Sequence, residues 1–196
     1  AEHPVFVCST TDRSNGPVRG ICSNLMSLWP IYPDYIHDAF QTAFSDEALH
    51  DGRKRLSERV WRNTLYRLLD DAVLCPSCGE INFASKSSGN EIVCTECHKK
   101  QIMPYSIVAG QSRVVAQNGK TLTQFHMTQG RRDVVIGTVV ESKKTKGVYG
   151  LRNDSALIWA VEYPEKPVVS YEPGKTVTLI PQTKITIGNK TIKIEE

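Results

Sequence analysis

Cys75-Pro-Ser-Cys78 and, after 15 intervening residues, Cys94-Thr-Glu-Cys97 are the most specific structural signal in this 196-residue chain. Two residues between paired cysteines let one tight turn direct both sulfur atoms at the same ion, and two such turns supply four ligands. Gly79 allows the backbone to fold back after the first turn. The spacing therefore predicts a structural, tetrahedral zinc (Zn²⁺) site with four cysteine ligands, built into a zinc ribbon.

The same cysteines have other interpretations. A redox Cys-x-x-Cys motif is expected alone and near a βαβ pattern, and two disulfides would fit a secreted domain better. A catalytic zinc keeps one coordination position open, whereas four thiolates close the shell. His98, next to Cys97, could compete as a ligand. We favour the closed four-cysteine site over these alternatives.

Two amphipathic helices are predicted before the cysteines. Apolar side chains recur at helical spacing from Asp34 to Phe44, and Ser57 is a suitable N-cap for a second helix with an apolar stripe from Val60 to Ala72. Two helices of this size bury too little surface against each other to form a robust domain. We therefore expect them to dock on something else.

Residues 101–196 are rich in short strand patterns. An Asn-Gly pair at residues 118–119 predicts a two-residue hairpin between its flanking runs, and a Gly-Asn pair at residues 188–189 predicts a second one. In the second hairpin Ile185 is expected to pair with Ile192, which puts the isoleucines on one face. Many short strands with regular turns predict a sandwich or a barrel.

Several isolated residues have reactive side chains but no supporting pattern. Cys8 or Cys22 would need a histidine partner to act as a nucleophile, and His3 and His37 are the candidates. His126 falls in a predicted strand over residues 124–127, where a packed or surface histidine is expected. The sequence contains no phosphate-binding glycine loop, serine triad or metal-binding carboxylate cluster. We therefore expect no catalytic site.

The composition is that of an ordinary globular protein, with 40% hydrophobic and 23% charged residues. No apolar run is long enough to span a membrane, and no signal peptide is visible, so a cytoplasmic protein without membrane contact is expected. A net charge of +3 is too small to indicate a nucleic-acid interface. The alternative function is nonetheless a nucleic-acid-binding zinc ribbon with an OB-like β domain, which would use Lys99, Lys100, Lys143, Lys144 and Lys146.

Four segments resemble the end of the C-lobe of a protein kinase. They are EHPVF at residues 2–6, WPIYP at residues 29–33, RLSERVW at residues 55–61 and VLCPSCGEINF at residues 73–83. Arg55 and Ser57 match the turn before the last C-lobe helix, with Leu56 in place of the usual proline. The whole run resembles one bacterial group in particular, the Ser/Thr kinases of the TerY-type phosphorylation triad.

This resemblance implies a kinase that acts with a PPM-type phosphatase and a von Willebrand A protein, in a setting linked to tellurite resistance and stress. Kinases of this group continue into a zinc ribbon and a β domain, as this chain does. The glycine-rich loop, the ATP-binding lysine, the catalytic aspartate and the Asp-Phe-Gly motif are absent from the sequence. The implied partners are the phosphatase, the von Willebrand A protein or the kinase substrates, and nucleic acid is not expected.

The last part of the chain is similar to a degenerate forkhead-associated domain, a β-sandwich whose end loops bind phosphothreonine peptides. The similarity lies in GLRNDS at residues 150–155, PGKTV at residues 173–177 and ITIG at residues 185–188. The usual Gly-Arg pair has a weak match at residues 130–131, and no Ser-x-x-His follows it. The resemblance carries over the fold, with Arg152 and Asn153 as a candidate partner-binding loop.

Together these features predict an α+β chain in three parts. A helical segment that resembles the end of a kinase C-lobe covers residues 1–74, a zinc ribbon covers residues 75–100, and a forkhead-associated-like all-β sandwich covers residues 101–196. The expected function is that of a non-catalytic regulatory or adaptor region of a bacterial Ser/Thr kinase. In it, a zinc-stabilised ribbon connects the kinase lobe to a sandwich that recognises proteins, including phosphoproteins.

Overall fold

A computed structural model describes residues 4–196 and confirms the α+β class, with a few helices followed by mostly antiparallel sheets. The helices are α1 (Ser23–Leu28), α2 (Asp34–Ala43), α3 (Asp46–His50), α4 (Glu58–Asp71) and α5 (Gln124–Thr128). Within the described residues, none of these helices combines the length and the apolarity that a membrane span requires.

The two predicted amphipathic helices are confirmed as α2 and α4. Helix α4 begins after Ser57, whose side chain accepts a hydrogen bond from the main-chain N–H of Val60 at 3.4 Å. This bond satisfies one of the donors that a helix leaves free at its first turn. Phe40 of α2 packs edge-to-face on Trp61 of α4, with the ring centroids 5.2 Å apart, so the two helices contact each other as well as the rest of the chain.

The face that α4 buries differs from the predicted apolar stripe. Three side chains of that stripe are 40–58% exposed: Val60, Leu65 and Leu69. The most buried residue of the helix is Asp70, at 5% exposure, and Tyr66 contacts Phe125 of α5 edge-to-face at 4.9 Å. Helix α4 therefore docks on the β-rich part of the chain, as expected, but through a face that apolar periodicity does not mark.

Two small antiparallel hairpins each hold one of the cysteine turns. Strand β1 (Ala72–Leu74) pairs with β2 (Ile81–Phe83), and β3 (Glu91–Val93) pairs with β4 (Lys100–Ile102). Because β1 precedes residue 75, the first hairpin crosses the predicted boundary between the helical segment and the ribbon. The two boundaries between the three predicted segments stay predictions.

Two larger antiparallel sheets follow. The first contains β5 (Ser106–Ala109), β6 (Ser112–Val115), β10 (Trp159–Glu162), β11 (Val169–Tyr171), β13 (Lys184–Ile187) and β14 (Lys190–Glu195), in the order β11-β10-β13-β14-β5-β6. The second contains β7 (Thr121–Thr123), β8 (Val135–Glu141), β9 (Tyr149–Asn153) and β12 (Thr176–Thr178), in the order β12-β9-β8-β7. One buried core draws side chains from both sheets, which is consistent with the predicted sandwich.

The packing between the two sheets is close around one tryptophan. Trp159 of β10 and Leu151 of β9 are fully buried in the shared core. Gly137 of β8 lies against them, and a Cβ atom at this position would lie 2.8 Å from the Trp159 ring and 2.8 Å from the carbonyl oxygen of Arg152. The absence of a side chain at Gly137 is therefore what lets the tryptophan fill the space between the sheets.

The second predicted hairpin is confirmed in its register. Ile185 pairs with Ile192 across β13 and β14, and Ile187 pairs with Lys190. Ile185 and Ile192 are fully buried, so the predicted apolar face is the one that faces the core. Gly188 has a φ of 59°, in the left-handed region that this tight turn requires.

The first predicted hairpin is wrong in its pairing, although its turn exists. The main-chain N–H of Lys120 donates to the carbonyl of Gln117 at 3.0 Å, as in a tight turn. Strand β6 before the turn pairs with β5, however, whereas β7 after the turn pairs with β8 in the other sheet. The turn therefore carries the chain from one sheet to the other, because the buried Val114 and Leu122 on its two sides belong to opposite layers of the core.

Candidate metal centre

The four cysteines of the two turns come together in one cluster. Their sulfur atoms all lie within 4.8 Å of one another, with Cys75 and Cys97 at 3.7 Å and Cys78 and Cys94 at 3.6 Å. A disulfide needs sulfurs about 2.05 Å apart, so these are four free thiol groups. The structure thus brings the predicted ligand residues together without pairing them.

The cluster has the dimensions of a tetrahedral metal site. Metal–sulfur bonds of about 2.3 Å in a tetrahedron put neighbouring sulfurs about 3.8 Å apart. The two short sulfur–sulfur contacts are close to this value. Two of the cysteines are buried and two are partly or fully exposed, so the site lies just under the surface. The four residues therefore fit a metal ion that prefers thiolate ligands.

Main-chain donors stabilise the thiolate form at both turns. The N–H groups of Ser77 and Cys78 donate to Cys75, and they lower the pKa of its thiol. The second turn repeats this geometry around Cys94. Burial alone would raise the pKa of Cys94, but the N–H groups two and three residues further on, together with Asn82, lower it to about 6.

Contacts among the four thiols oppose the ionisation of one of them, Cys78. The main-chain N–H of Glu80 lowers the pKa of Cys78, but desolvation and the contacts with the other three thiols raise it to about 12. A metal ion would favour the thiolate form of Cys78 as well, because thiolate ligands release protons when they bind metal.

Asn82 links the two cysteine turns. Its side chain is 2% exposed, and its Nδ2 donates to the sulfur of Cys94 at 3.7 Å. Its Oδ1 accepts the main-chain N–H of Thr95 at 2.9 Å. Asn82 belongs to β2 in the first hairpin, whereas Cys94 and Thr95 open the second turn, so one amide spans both. An asparagine inside a short strand carries no motif, and sequence reasoning did not single it out.

His98, the competing ligand, takes a different role. Its main-chain N–H donates to the carbonyl of Cys94 at 3.1 Å, and its φ of 56° lies in the left-handed region. It therefore ends the second turn. Within residues 4–196, the candidate ligand set consists of the four cysteines alone.

Arg152 and Asn153, the candidate partner-binding residues, lie at the end of β9 in different environments. The Nε of Arg152 donates to Asp154 at 2.5 Å on the exposed surface. Asn153 is fully buried, and its Nδ2 donates to the carbonyls of Leu157 and Tyr171 at 2.8 and 3.2 Å. The amide of Asn153 thus holds the loop that follows β9 and is committed to the chain itself, whereas a partner-binding role for Arg152 stays a prediction.

A buried charged cluster joins α4 to α5, and no sequence pattern indicated it. Arg132 donates to both carboxylate oxygens of Asp70, at 2.9 and 2.5 Å, and His126 Nε2 lies 3.1 Å from the same carboxylate. The main-chain N–H of Thr123 donates to His126 Nδ1 at 2.8 Å, so the ring proton sits on Nε2 and points at Asp70. Of the packed or surface histidine that the sequence predicted, the structure shows the packed one, hydrogen-bonded within a joint between α4 and α5.

The same joint corrects the predicted strand over residues 124–127, which is helix α5. Thr123 and His126 form a capping box at its start, and this spacing is the signal that could have identified the helix. Burial would raise the pKa of Asp70, but the bonds from His126 and Arg132 hold it below its usual value. The carboxylate is therefore ionised and paired, as a buried charge must be.

Cys8 and Cys22 show no sign of an activated nucleophile. Burial and the neighbouring Cys22 thiol raise the pKa of Cys8, which disfavours the reactive thiolate. His37 is engaged elsewhere, since its Nε2 lies 2.8 Å from the carbonyl of Trp29 and its ring lies against the Trp29 indole. His3, the other proposed partner, lies outside the described residues.

Comparison with protein-family models, with curated proteins and with solved structures found no significant match. The interpretation of the centre therefore rests on its own geometry. Four thiols at metal-binding separation, supported by main-chain donors and one buried amide, can hold a metal ion between two short hairpins.

Proposed function

We propose that the four cysteines bind one structural zinc ion. Four thiolates suit zinc, and a shell closed by protein ligands leaves no position for a substrate. The supporting observation is the pair of sulfur–sulfur distances, 3.6 and 3.7 Å. Elemental analysis of the purified chain tests the identity of the metal, with one zinc per chain expected. Stoichiometric iron, or a full complement of reactive thiols in freshly purified protein, would contradict it.

The chain as a whole is proposed to be a non-catalytic regulatory or adaptor region of a bacterial Ser/Thr kinase. In this proposal α1 to α4 correspond to the end of a kinase C-lobe, and the two larger sheets to a forkhead-associated-like sandwich that recognises protein or phosphoprotein. The partners would be the phosphatase and the von Willebrand A protein of the triad, or kinase substrates. The layered sheets and the preceding helices are compatible with this assignment.

Helix α4 is the observation that carries the adaptor proposal. Asp70 joins it to the β-rich part through Arg132. The next residue, Asp71, accepts hydrogen bonds from the main chain and the hydroxyl of Ser85 in the ribbon, at 2.9 and 2.5 Å. Trp61 joins it to α2. One helix thus contacts all three parts of the chain, which suits a rigid connector better than a flexible tether.

The open side of α4 supports the same proposal. The exposed side chains of Leu65 and Leu69, one helical turn apart, form a short apolar stripe on one face of α4. Such a stripe is what a helix presents when it packs against a further part of a protein or against a partner. A kinase lobe that precedes this chain would offer that surface.

Partner capture with the full chain as bait tests the adaptor proposal. Lysate of a source cell is divided into a phosphatase-treated half and an untreated half. Capture of a triad protein from the untreated half alone indicates phosphoprotein recognition, and capture from both halves indicates a phosphorylation-independent adaptor. Phosphate transfer from Mg–ATP by the isolated chain would contradict the proposal, and salt-sensitive capture of nucleic acid would favour the alternative function.

A further inference from the structure

One corner of the cysteine cluster is open to solvent. Cys75 and Cys94 are buried, at 4% and 0% exposure, whereas Cys97 is half-buried and Cys78 is exposed. The first cysteine of each turn thus lies inside, and the second lies nearer the surface. Of the four cysteines, Cys78 is therefore the one that a small solute reaches most readily.

The residue that follows each turn accounts for the difference between Cys78 and Cys97. Gly79 follows the first turn and His98 follows the second, and both have a left-handed backbone, with φ of 79° and 56°. A Cβ atom at Gly79 would meet no heavy atom within 4 Å among the described residues, apart from its own chain neighbours. The second turn carries the imidazole of His98 at the corresponding position. Access to the first turn is therefore less obstructed.

The two short sulfur–sulfur contacts run between the turns and not within them. The sulfur of Cys94 lies 3.6 Å from that of Cys78, and Cys75 and Cys97 are 3.7 Å apart. A disulfide between Cys78 and Cys94 needs their sulfurs to approach by about 1.5 Å, because the bond length is about 2.05 Å. A buried thiol is thus held within reach of the exposed one, on the other hairpin.

The exposed sulfur is a nucleophile when the cluster holds its metal. A cysteine that ligates a metal is deprotonated, and the thiolate is the reactive form of cysteine. Oxidation by peroxides selects thiolates that solvent can reach, and it becomes reversible when a second thiol stands next to the first. Cys78 meets the first condition, and Cys94 supplies the second.

From these observations we propose that Cys78 is a site of oxidative modification by hydroperoxides and that Cys94 is its resolving cysteine. The product is a disulfide that joins the two hairpins. This inference rests on the proposed zinc site, since the metal keeps Cys78 in its thiolate form. It adds a reaction that the structural role of the site does not require.

The modification takes place in two steps. The Cys78 thiolate attacks one oxygen of the hydroperoxide, a sulfur–oxygen bond forms, and the oxygen–oxygen bond breaks. The leaving oxygen takes a proton from solvent and departs as an alcohol, or as water when the oxidant is hydrogen peroxide. The Cys94 thiolate then attacks the sulfur of the Cys78 sulfenic acid, and hydroxide leaves and takes a second proton to become water. Two thiolates, one hydroperoxide and two protons thus give one disulfide, one alcohol and one water.

The disulfide changes the ribbon without separating its hairpins. It removes two of the four ligands, so the ribbon releases the metal, because a structural zinc site uses four protein ligands. Asn82 loses the charged sulfur of Cys94 as its acceptor. The hairpins stay joined by a covalent bond, and a thiol reductant regenerates both ligands. The ribbon therefore responds reversibly to hydroperoxide.

Treatment of the zinc-loaded full chain with a few equivalents of hydrogen peroxide tests this proposal. A chromogenic chelator records the zinc that is released, and non-reducing peptide mapping by mass spectrometry identifies the disulfide. We expect one Cys78–Cys94 disulfide for each zinc released, with Cys8 and Cys22 still reduced. Retention of the zinc, equally fast oxidation of Cys8, or release without a disulfide of Cys78 overturns the proposal. A disulfide between Cys78 and a cysteine other than Cys94 contradicts the resolving role.

Three variants assign the reaction to the open corner. Cys78→His and Cys97→His form a matched pair, since three cysteines and one histidine are a usual zinc ligand set. Peroxide should release zinc about tenfold more slowly from Cys78→His, and from Cys97→His at a rate within about threefold of the parent. Equal rates for these two variants overturn the proposal. Gly79→Asn keeps all four cysteines, and asparagine tolerates a left-handed φ. Its side chain should slow the release about threefold, and a rate no lower than that of the parent contradicts the access argument.

Elemental analysis of the untreated chain separates this proposal from the zinc proposal. A purified chain without zinc would refute the zinc site itself. Zinc that is present but is not released by peroxide would refute the oxidation site alone.

Discussion

Replacement of Asn82 by leucine is the sharpest test of how the metal centre is built. Leucine has the same number and branching of side-chain heavy atoms, and it removes the hydrogen bonds that the amide makes to Cys94, to Thr95 and to the carbonyl of Glu80. The bond from Nδ2 to the sulfur of Cys94 and the bond from Thr95 to Oδ1 are lost together. Because Asn82 is 2% exposed, water does not readily replace either partner.

The expected loss of metal affinity follows from the bonds to Cys94 and Thr95. A hydrogen bond to a charged group contributes about 1.5–3 kcal/mol, and a neutral one about 1 kcal/mol. Loss of both amounts to about 3 kcal/mol, or roughly a hundredfold weaker metal binding. Residues that hydrogen-bond to metal ligands typically change metal affinity by about 10- to 100-fold, so the effect expected here lies at the upper end of that range.

Competition with a chromogenic zinc chelator measures the effect, and circular dichroism confirms that the variant is folded. Asn82→Asp keeps the acceptor for Thr95 but replaces the donor to Cys94 by a negative charge, so its loss is expected to be at least as large. Thr95→Val removes only the hydroxyl contact at 3.4 Å and serves as the control, with affinity within about threefold of the parent. A folded Asn82→Leu protein with affinity as close to the parent as the control would show that the Asn82 amide does not support metal binding.

Three further results are expected. Asp70→Asn lowers the free energy of unfolding by about 3 kcal/mol at pH 7, because it breaks a buried ion pair. The pKa of this carboxyl is lowered in the folded state, so its contribution is present above the unfolded value of about 3.9 and is lost as the pH falls through the folded value. Urea titrations should therefore show the free energies of unfolding of the two proteins converging below about pH 4. A constant difference down to pH 2 would contradict the role of the ionised Asp70. Gly137→Ala should destabilise the sandwich by about 2 kcal/mol, because its Cβ would meet Trp159. Gly174→Ala is the control, because Gly174 has a φ of 79° and open space around it, and it should lower the free energy of unfolding by about 1 kcal/mol. Equal melting temperatures of the two variants would argue against close packing of Gly137 on Trp159. Removal of the metal by a chelator should accelerate amide hydrogen exchange at residues 75–100 while the sandwich core stays protected, and unchanged exchange there would show that the ribbon folds without metal.

The features that the sequence predicted correctly depend on local spacing. The four clustered cysteines come from two tight turns, and each turn is specified by its own four residues. The hairpin around Gly188 pairs neighbouring strands, so alternation and turn chemistry determine its register. The N-cap Ser57 likewise acts within one helical turn.

The features that it missed depend on contacts between distant segments. The turn at residues 118–119 has ordinary hairpin chemistry, and only the two-layer core makes the strands on its sides pair elsewhere. Asp70 and Arg132 are 62 residues apart, and a charged residue on an amphipathic helix is normally assigned to the solvent face. Asn82 is 12 residues from Cys94, and its role exists only once both hairpins have formed.

Direct binding between this chain and the proteins of the proposed triad tests the central claim. The zinc-loaded full chain is immobilised, and its binding to purified PPM-type phosphatase and von Willebrand A protein is measured by biolayer interferometry. A parallel assay follows the incorporation of phosphate from Mg–ATP. We expect saturable binding of at least one of the two proteins and no phosphate transfer by the chain. No binding of either protein, together with phosphate incorporation by the isolated chain, would contradict it.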